Sequence, residues 1–205
     1  MASQIPQALT TSRLTLTLFS RSNPAHYECM LSCLNNPTAH TRMGDYGIRT
    51  KEQLFALHDA TQLTYPSAFP FDMIYIIAPT SQPSDLAGAV TLAQRSSELY
   101  PDIGWALKEE FMGKGYATEA AMEFLRVLRE EIGVKDVCTW PDENNKQSNR
   151  VAQKLGFVEG GTARISDEGG KEVVVWILPG MKGVGRGDLT VSFWGEGGEK
   201  SCEAS

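Results

Sequence analysis

Hydrophobic and polar positions along the chain follow two different periods, and the changes between them mark the elements. In Arg13-Leu14-Thr15-Leu16-Thr17-Leu18, leucine and threonine alternate strictly, which predicts a half-buried strand. Ser22-Asn23-Pro24 then supplies a cap and a first-turn proline. The helix it opens runs through His26, Tyr27, Met30, Leu31 and Leu34, and Asn35-Asn36-Pro37 stops it. A second helix is predicted from Thr50, with Leu54, Phe55, Leu57 and Leu63 within it, followed by a loop over 65–70. Residues 71–78 are a short apolar run, read as a central strand. Residues 86–93 return beside it after a turn, and 99–107 form a further strand.

A loop at 112–117 leads into a long helix over about 118–132. Ala117, Ala120, Ala121, Phe124, Leu125 and Leu128 make one apolar stripe on it, and Gly133 ends it. A strand over 135–140, a helix over 144–155 closed by Gly156, and strands over 157–164 and 173–178 complete the pattern. The order β-α-α-β-β-β-α-β-α-β-β predicts an α+β fold: a mixed sheet with helices on both faces. Beyond Pro179, glycine is frequent and apolar residues are few. A single domain is expected over 1–180, with a glycine-rich C-terminal extension over 181–205 that is at least partly disordered.

The 205 residues are 41% hydrophobic, enough for an ordinary core without disulfides or metal. Nineteen lysines and arginines against 25 acids give a net charge of −6, which argues against nucleic acid as a partner and suits an amine-bearing substrate better. No apolar run reaches the ~18 residues of a membrane span, and residues 1–6 carry no basic region followed by an apolar one. Cys29, Cys33, Cys138 and Cys202 form neither a C-x-x-C pair nor a metal-finger spacing. A cytoplasmic chain with reduced, spectator thiols is expected, bound to no membrane and working as a monomer or homodimer.

The chemistry gathers at Met112-Gly113-Lys114-Gly115-Tyr116-Ala117. A strand ends, two glycines let successive backbone N–H groups turn to one point, and a helix N-terminus adds free donors. Such a junction binds phosphate or pyrophosphate. The alternative is that the glycines only permit tight packing. The loop is not a Walker loop, having no G-K-[ST], and Thr118 stands where a dinucleotide fingerprint needs its third glycine.

Two further segments accompany the loop: Asp102-Ile103-Gly104-Trp105-Ala106-Leu107 upstream, and Asn145-Lys146-Gln147-Ser148-Asn149-Arg150-Val151-Ala152-Gln153-Lys154-Leu155-Gly156-Phe157 downstream. In this order and spacing, over about 13–178, the chain resembles the GNAT acetyltransferase superfamily, and most of all its RimJ/RimL-type ribosomal-protein N-acetyltransferases. The resemblance implies a twisted, mostly antiparallel sheet splayed in the middle. It also implies an acetyl-CoA-dependent acyltransferase that needs no metal and acetylates a primary amine on a peptide or small molecule. Pyrophosphate would sit on Met112, Gly113, Lys114, Gly115, Tyr116 and Ala117. The family pattern has glutamine or arginine at position 112, so methionine there removes a side-chain contact. Ala106 and Leu107 would pair with the pantetheine amides through their backbone, and Asn145 would hydrogen-bond the cofactor unless it is only a helix N-cap.

In this chemistry a neutral amine attacks a thioester and the departing thiolate gains a proton. Many superfamily members place a tyrosine acid where this chain has Ala152. Ser148 is the candidate acid, with a solvent-facing helix residue as the alternative. Asp102 and Glu98 are the candidate bases. Asp102 shares a strand face with Tyr100 and Gly104, and is equally readable as a surface charge. Trp105 and Tyr116 are read as packing, Arg150 and Lys154 as helix surface with an adenosine-phosphate contact as the alternative, and His26, His40 and His58 as surface or capping residues. The acceptor wall would come from residues 34–71, where Arg42, Tyr46, Arg49, Tyr65 and Phe69 are candidate contacts. The absent tyrosine and Met112 keep one alternative from another class: a non-catalytic acyl-CoA-binding or regulatory module.

Overall fold

Alternate residues of one strand, Ile74–Pro79, serve two cores. Ile74 and Ile76 face one helical layer, and Tyr75 and Ile77 face another. A strand buried on both faces reads as a continuous apolar run, as this one does. The computed structural model describes residues 5–62 and 73–195. In chain order its strands are β1 (Ala8–Thr10), β2 (Leu14–Leu18), β3 (Ile74–Pro79), β4 (Gly88–Ala93), β5 (Asp102–Leu107), β6 (Cys138–Thr139), β7 (Val158–Ile165), β8 (Lys171–Ile177) and β9 (Gly185–Val191). Its helices are α1 (Pro24–Leu34), α2 (Pro37–Met43), α3 (Lys51–Ala60), α4 (Tyr116–Val127) and α5 (Lys146–Lys154). Among the described residues the strands form one sheet in the order β1-β2-β3-β4-β5-β6-β8-β7-β9, antiparallel except at β5–β6 and β7–β9.

Ala120, Ala121 and Phe124 of α4 pack with Leu14, Leu16 and Val90 on one face. Cys29 and Met30 of α1 and Leu54 and Leu57 of α3 pack with Ile74, Ile76 and Ala89 on the other. Helices on both faces of a mostly antiparallel sheet are the expected α+β arrangement. The splay is also there. β5 pairs with β4 from Ala93↔Asp102 to Gly88↔Leu107, but with β6 only at Asp102↔Cys138. From Gly104 to Leu107 the outer edge of β5 therefore has no strand partner, and a V opens between β5 and β6.

Several elements differ from the sequence expectation. Asn36-Pro37 not only follows α1 but caps α2, with Asn36 Oδ1 accepting from the Ala39 N–H at 2.8 Å. Helix α4 begins at Tyr116, because Gly115 at φ +82° serves as its N-cap, and it closes through a widened turn over Leu128–Ile132 into Gly133. The strand β9 falls inside the segment read as an extension. It pairs with β7 and buries Leu189 and Val191, and Trp194 beyond it packs into the α1/α3 core. The helix contact Leu63, the loop 65–70, Tyr65, Phe69, the first residues of the run 71–78, and 196–205 with Cys202 lie outside the described residues. No helix of the described residues is long and apolar enough to cross a membrane.

Candidate active site

The glycine loop is held open from behind. Gly113 and Gly115 have φ of +75° and +82°, a region that side-chain-bearing residues avoid. Arg13 donates from Nη1 to the Lys114 carbonyl at 3.0 Å, fixing that oxygen on the β2 side of the loop. Glu119, one turn into α4, accepts from Thr11 Oγ1 at 2.5 Å, from the Arg13 backbone at 3.0 Å and from Arg13 Nε at 2.7 Å. Burial pushes the Glu119 carboxyl up, but these bonds outweigh it and hold it below the usual value. The start of α4 thus has no side-chain cap, and its first N–H groups stay available to a ligand.

In front of the loop lies a cleft of about 330 Å³. Met112, Gly113, Gly115, Tyr116 and Ala117 line one end, Ala106 and Leu107 line its side, and Asn145 and Ser148 line the other end. The unpaired edge of β5 runs between these ends. The cleft also takes Arg42, Arg150 and Lys154, and no aspartate or glutamate appears among its described lining residues. In a chain of net charge −6, that local excess favours an anion. The fit to a CoA-type ligand rests on this: two glycines at positive φ leading into a helix start without a side-chain cap, an unpaired strand edge, and three cations. Arg150 and Lys154, read as helix surface, are cleft residues. Lys114 itself is not: its ammonium lies over the Phe111 ring at 5.1 Å, so only its backbone belongs to the loop.

Asn145 and Ser148 are tied to one another. Asn145 Oδ1 caps α5 by accepting from the Ser148 N–H at 3.1 Å, and its amide nitrogen is left to offer a ligand. The Ser148 hydroxyl accepts from Trp105 Nε1 at 3.2 Å. With that lone pair engaged, its own O–H is free to donate into the cleft. Trp105 is therefore more than packing. Ala152 is fully buried in the α4-side core and supplies no hydroxyl.

A second chamber of about 120 Å³ shares Trp105, Asn145 and Ser148 with the cleft and reaches Asp102. Asp102 is buried rather than a surface charge, and Arg95 Nε donates to it at 2.9 Å. Burial pushes its carboxyl up and the Arg95 charge pulls it back, leaving it above the ordinary value. Sequence reading missed Arg95, whose guanidinium also lies over the rings of Trp140 and Phe193 at 5.4 and 4.4 Å. Tyr100 donates instead to the Lys182 carbonyl at 3.2 Å, and Glu98 is exposed. Gly104 belongs here for lack of room, since a Cβ on it would come within 2.7 Å of Thr91 Oγ1.

Arg42, expected at the acceptor wall, reaches both sides. Its Nη1 lies 3.2 Å from Met112 Sδ and 2.6 Å from Gln147 Oε1, bringing a cation to the position where the family pattern has a polar side chain. Tyr46 lines the second chamber, and burial pushes its phenol well above the usual range, so it does not act as a phenolate. Arg49 points away, pairing with Asp45 at 2.5 Å. His26 and His58 are buried rather than on the surface: His26 Nδ1 accepts from the Ser20 N–H at 3.1 Å, and His58 packs edge-on against Phe19.

Comparison with known proteins places the chain in a family. Residues 13–158 match the family model described as an acetyltransferase (GNAT) domain. Over 63 residues the chain is 33% identical to the protein named "Putative ribosomal N-acetyltransferase YdaF" from Bacillus subtilis, a match spanning 31% of this chain and 34% of that protein. In fold it is similar to an acetyltransferase from Agrobacterium tumefaciens, at 23% identity and a TM-score of 0.65 over 85% of this chain and 94% of that one. It is likewise similar to RimL, a ribosomal L7/L12 alpha-N-protein acetyltransferase in complex with coenzyme A, at 17% identity and a TM-score of 0.58 over 82% and 94%. The family match covers more than half of the sequence and contains the glycine loop, the β5 edge and the Asn145–Ser148 turn, so the chain belongs to the GNAT acetyltransferase family.

Proposed function

We propose that this protein transfers the acetyl group of acetyl-CoA to a primary amine, in the manner of the ribosomal-protein N-acetyltransferases it resembles, by direct attack with both substrates bound. The observation that carries this reading is the continuous cleft from the glycine loop, along the unpaired edge of β5, to the Ser148 hydroxyl, with cations and no carboxylate among its described lining residues.

Gly113, Gly115 and the first N–H groups of α4 would hold pyrophosphate, with Arg42, Arg150 and Lys154 adding charge. Ala106 and Leu107 would offer backbone groups to the pantetheine amides, and Asn145 its amide nitrogen. Acetyl-CoA supplies an activated acyl carbon. Ser148, held by Trp105 and by the Asn145 cap, passes its hydroxyl proton to the departing CoA thiolate at the cleft end of α5 and is reprotonated from solvent. Asp102 sits across β5 from the cleft, where burial raises its proton affinity, and takes the amine proton through water in the adjoining chamber. The acceptor, a peptide N-terminus or a small amine, enters from that chamber.

Thiol release from acetyl-CoA, followed across a panel of amines and N-terminal peptides, tests this. Amine-dependent release is expected for wild type and is strongly reduced in Asp102→Asn. Acetyl-CoA binding with no release for any amine would instead make the chain a binding module.

A further inference from the structure

Beyond Trp105, on the α1/α3 side of the sheet, lies a cavity of about 160 Å³. Met30, Leu54, Leu57, Gly104, Tyr46 and Phe193 are among the residues that line it. The rings of Tyr46 and Phe193 are stacked face to face, centroids 3.7 Å apart and 1° from parallel. Phe193 follows β9, outside the stretch 13–158 that matches the family model, and it is anchored three ways. Its N–H donates to Asp167 at 2.5 Å, its carbonyl accepts from Arg95 Nη1, and its ring receives the Arg95 guanidinium at 4.4 Å. The cavity shares Trp105, Tyr46, Arg95 and Phe193 with the chamber that reaches Asp102, so the two adjoin at the reaction centre.

We infer that this cavity seats an apolar group carried by the acceptor amine, as large as an aromatic ring. The inference rests on the acyl-transfer reading above and deepens it by naming the acceptor class. Two observations carry it. The described lining is mostly hydrocarbon and contains no carboxylate. An apolar cavity of roughly 150 Å³ stays dry and takes up benzene, so the size fits a phenyl or branched aliphatic group. In the adjoining chamber every described carboxylate already has a cationic partner. Asp102 pairs with Arg95, and both Asp142 and Glu168 pair with Lys171. With Asp142 and Glu168 sharing one lysine, these ion pairs leave a single acid in excess, which suits one amine with an apolar neighbour better than a polycation.

The test is kcat/KM for acetylation of primary amines matched in pKa that carry a methyl, isobutyl or phenyl group at the same distance, with a polyamine alongside. Burial of a ring-sized group predicts a ten- to hundred-fold rise from methyl to phenyl. Leu34→Phe, which fills the cavity from the end of α1, should shrink the phenyl-to-methyl ratio toward one. Phe193→Ala, which removes an aromatic wall of the cavity, should do the same. Should Phe193→Ala fail to fold, the Leu34→Phe ratio still decides. Equal rates for all amines, a preference for the polyamine, or a ratio unmoved by Leu34→Phe would overturn the inference while leaving acetyl transfer intact. Absence of turnover with every amine would instead remove the reading on which it rests.

Discussion

Trp105 on β5 donates its indole N–H to the Ser148 hydroxyl on α5 at 3.2 Å, bridging the V where the sheet opens. That bond sets the direction of the serine O–H. Ser148→Ala should therefore lower kcat by about 10²-fold, the modest end for general acid catalysis. A thiol is already fairly acidic, with a reference pKa near ~8.5, and needs less help than an alkoxide. Acetyl-CoA affinity should be nearly intact. Trp105→Phe, which keeps a ring but no donor, should give a smaller loss in kcat. Single-turnover kinetics under chemistry-limited conditions measure both, and wild-type turnover in Ser148→Ala would reduce the serine to a helix residue.

Gly113→Ala probes the phosphate cradle with little disturbance elsewhere. A Cβ at 113 meets no protein atom within 4 Å, so the methyl adds bulk to a residue that lines the cleft without disturbing its neighbours, whereas one at 115 lies 3.3 Å from Arg13 Nη2 and would disturb the loop's own support. The positive φ adds roughly 1–2 kcal/mol of strain. Calorimetry should show acetyl-CoA affinity reduced several-fold or more in a folded variant, and unchanged affinity would remove the phosphate reading.

Asn145 combines a capping oxygen with an amide nitrogen, and the two can be separated. Asn145→Ala should lower stability by about 1 kcal/mol through loss of the cap and should weaken acetyl-CoA binding. Asn145→Asp keeps an N-cap oxygen and loses the amide donor, so it should recover the stability without recovering the affinity. Thermal unfolding paired with calorimetry reads both quantities, and an Asp variant that binds like wild type would leave Asn145 with the cap alone.

Glu119 makes the support of the glycine loop sensitive to acid. Its folded-state pKa is depressed below the unfolded value of ~4.3, so its contribution is fully present above that value and is lost as pH falls through the folded pKa. Urea midpoints of wild type and Glu119→Gln should differ at neutral pH and converge as the pH drops below about 4. A gap that stays constant with pH would show that the ionised carboxylate contributes nothing particular.

Much of the site was legible because it is local. The loop 112–117 and the turn 145–148 are consecutive residues whose backbone needs follow from glycine and from capping. What escaped depends on distant partners. Asn36-Pro37 repeats the Asn23-Pro24 signal of α1, yet followed a helix so closely that it reads only as a stop. The strand β9 is held by backbone pairing to β7 and carries its apolar anchors Leu189 and Val191 among glycines, so its pattern is weak. Arg95 owes its place to Asp102, Trp140 and Phe193, which the chain separates widely. His26 and His58 look like surface residues in sequence because burial of an imidazole depends on neighbours that no short pattern contains.

The most direct measurement of the central claim is the pH dependence of product formation, with free thiol and acetylated amine quantified together. Equal amounts of the two are expected, with a rate that rises as the acceptor amine loses its proton. For an α-amine the rise should centre near ~8, and for a lysine-like amine near ~10. Thiol appearing without acetylated amine, or a chemistry-limited rate that does not respond to amine titration, would contradict direct transfer from acetyl-CoA to a neutral amine.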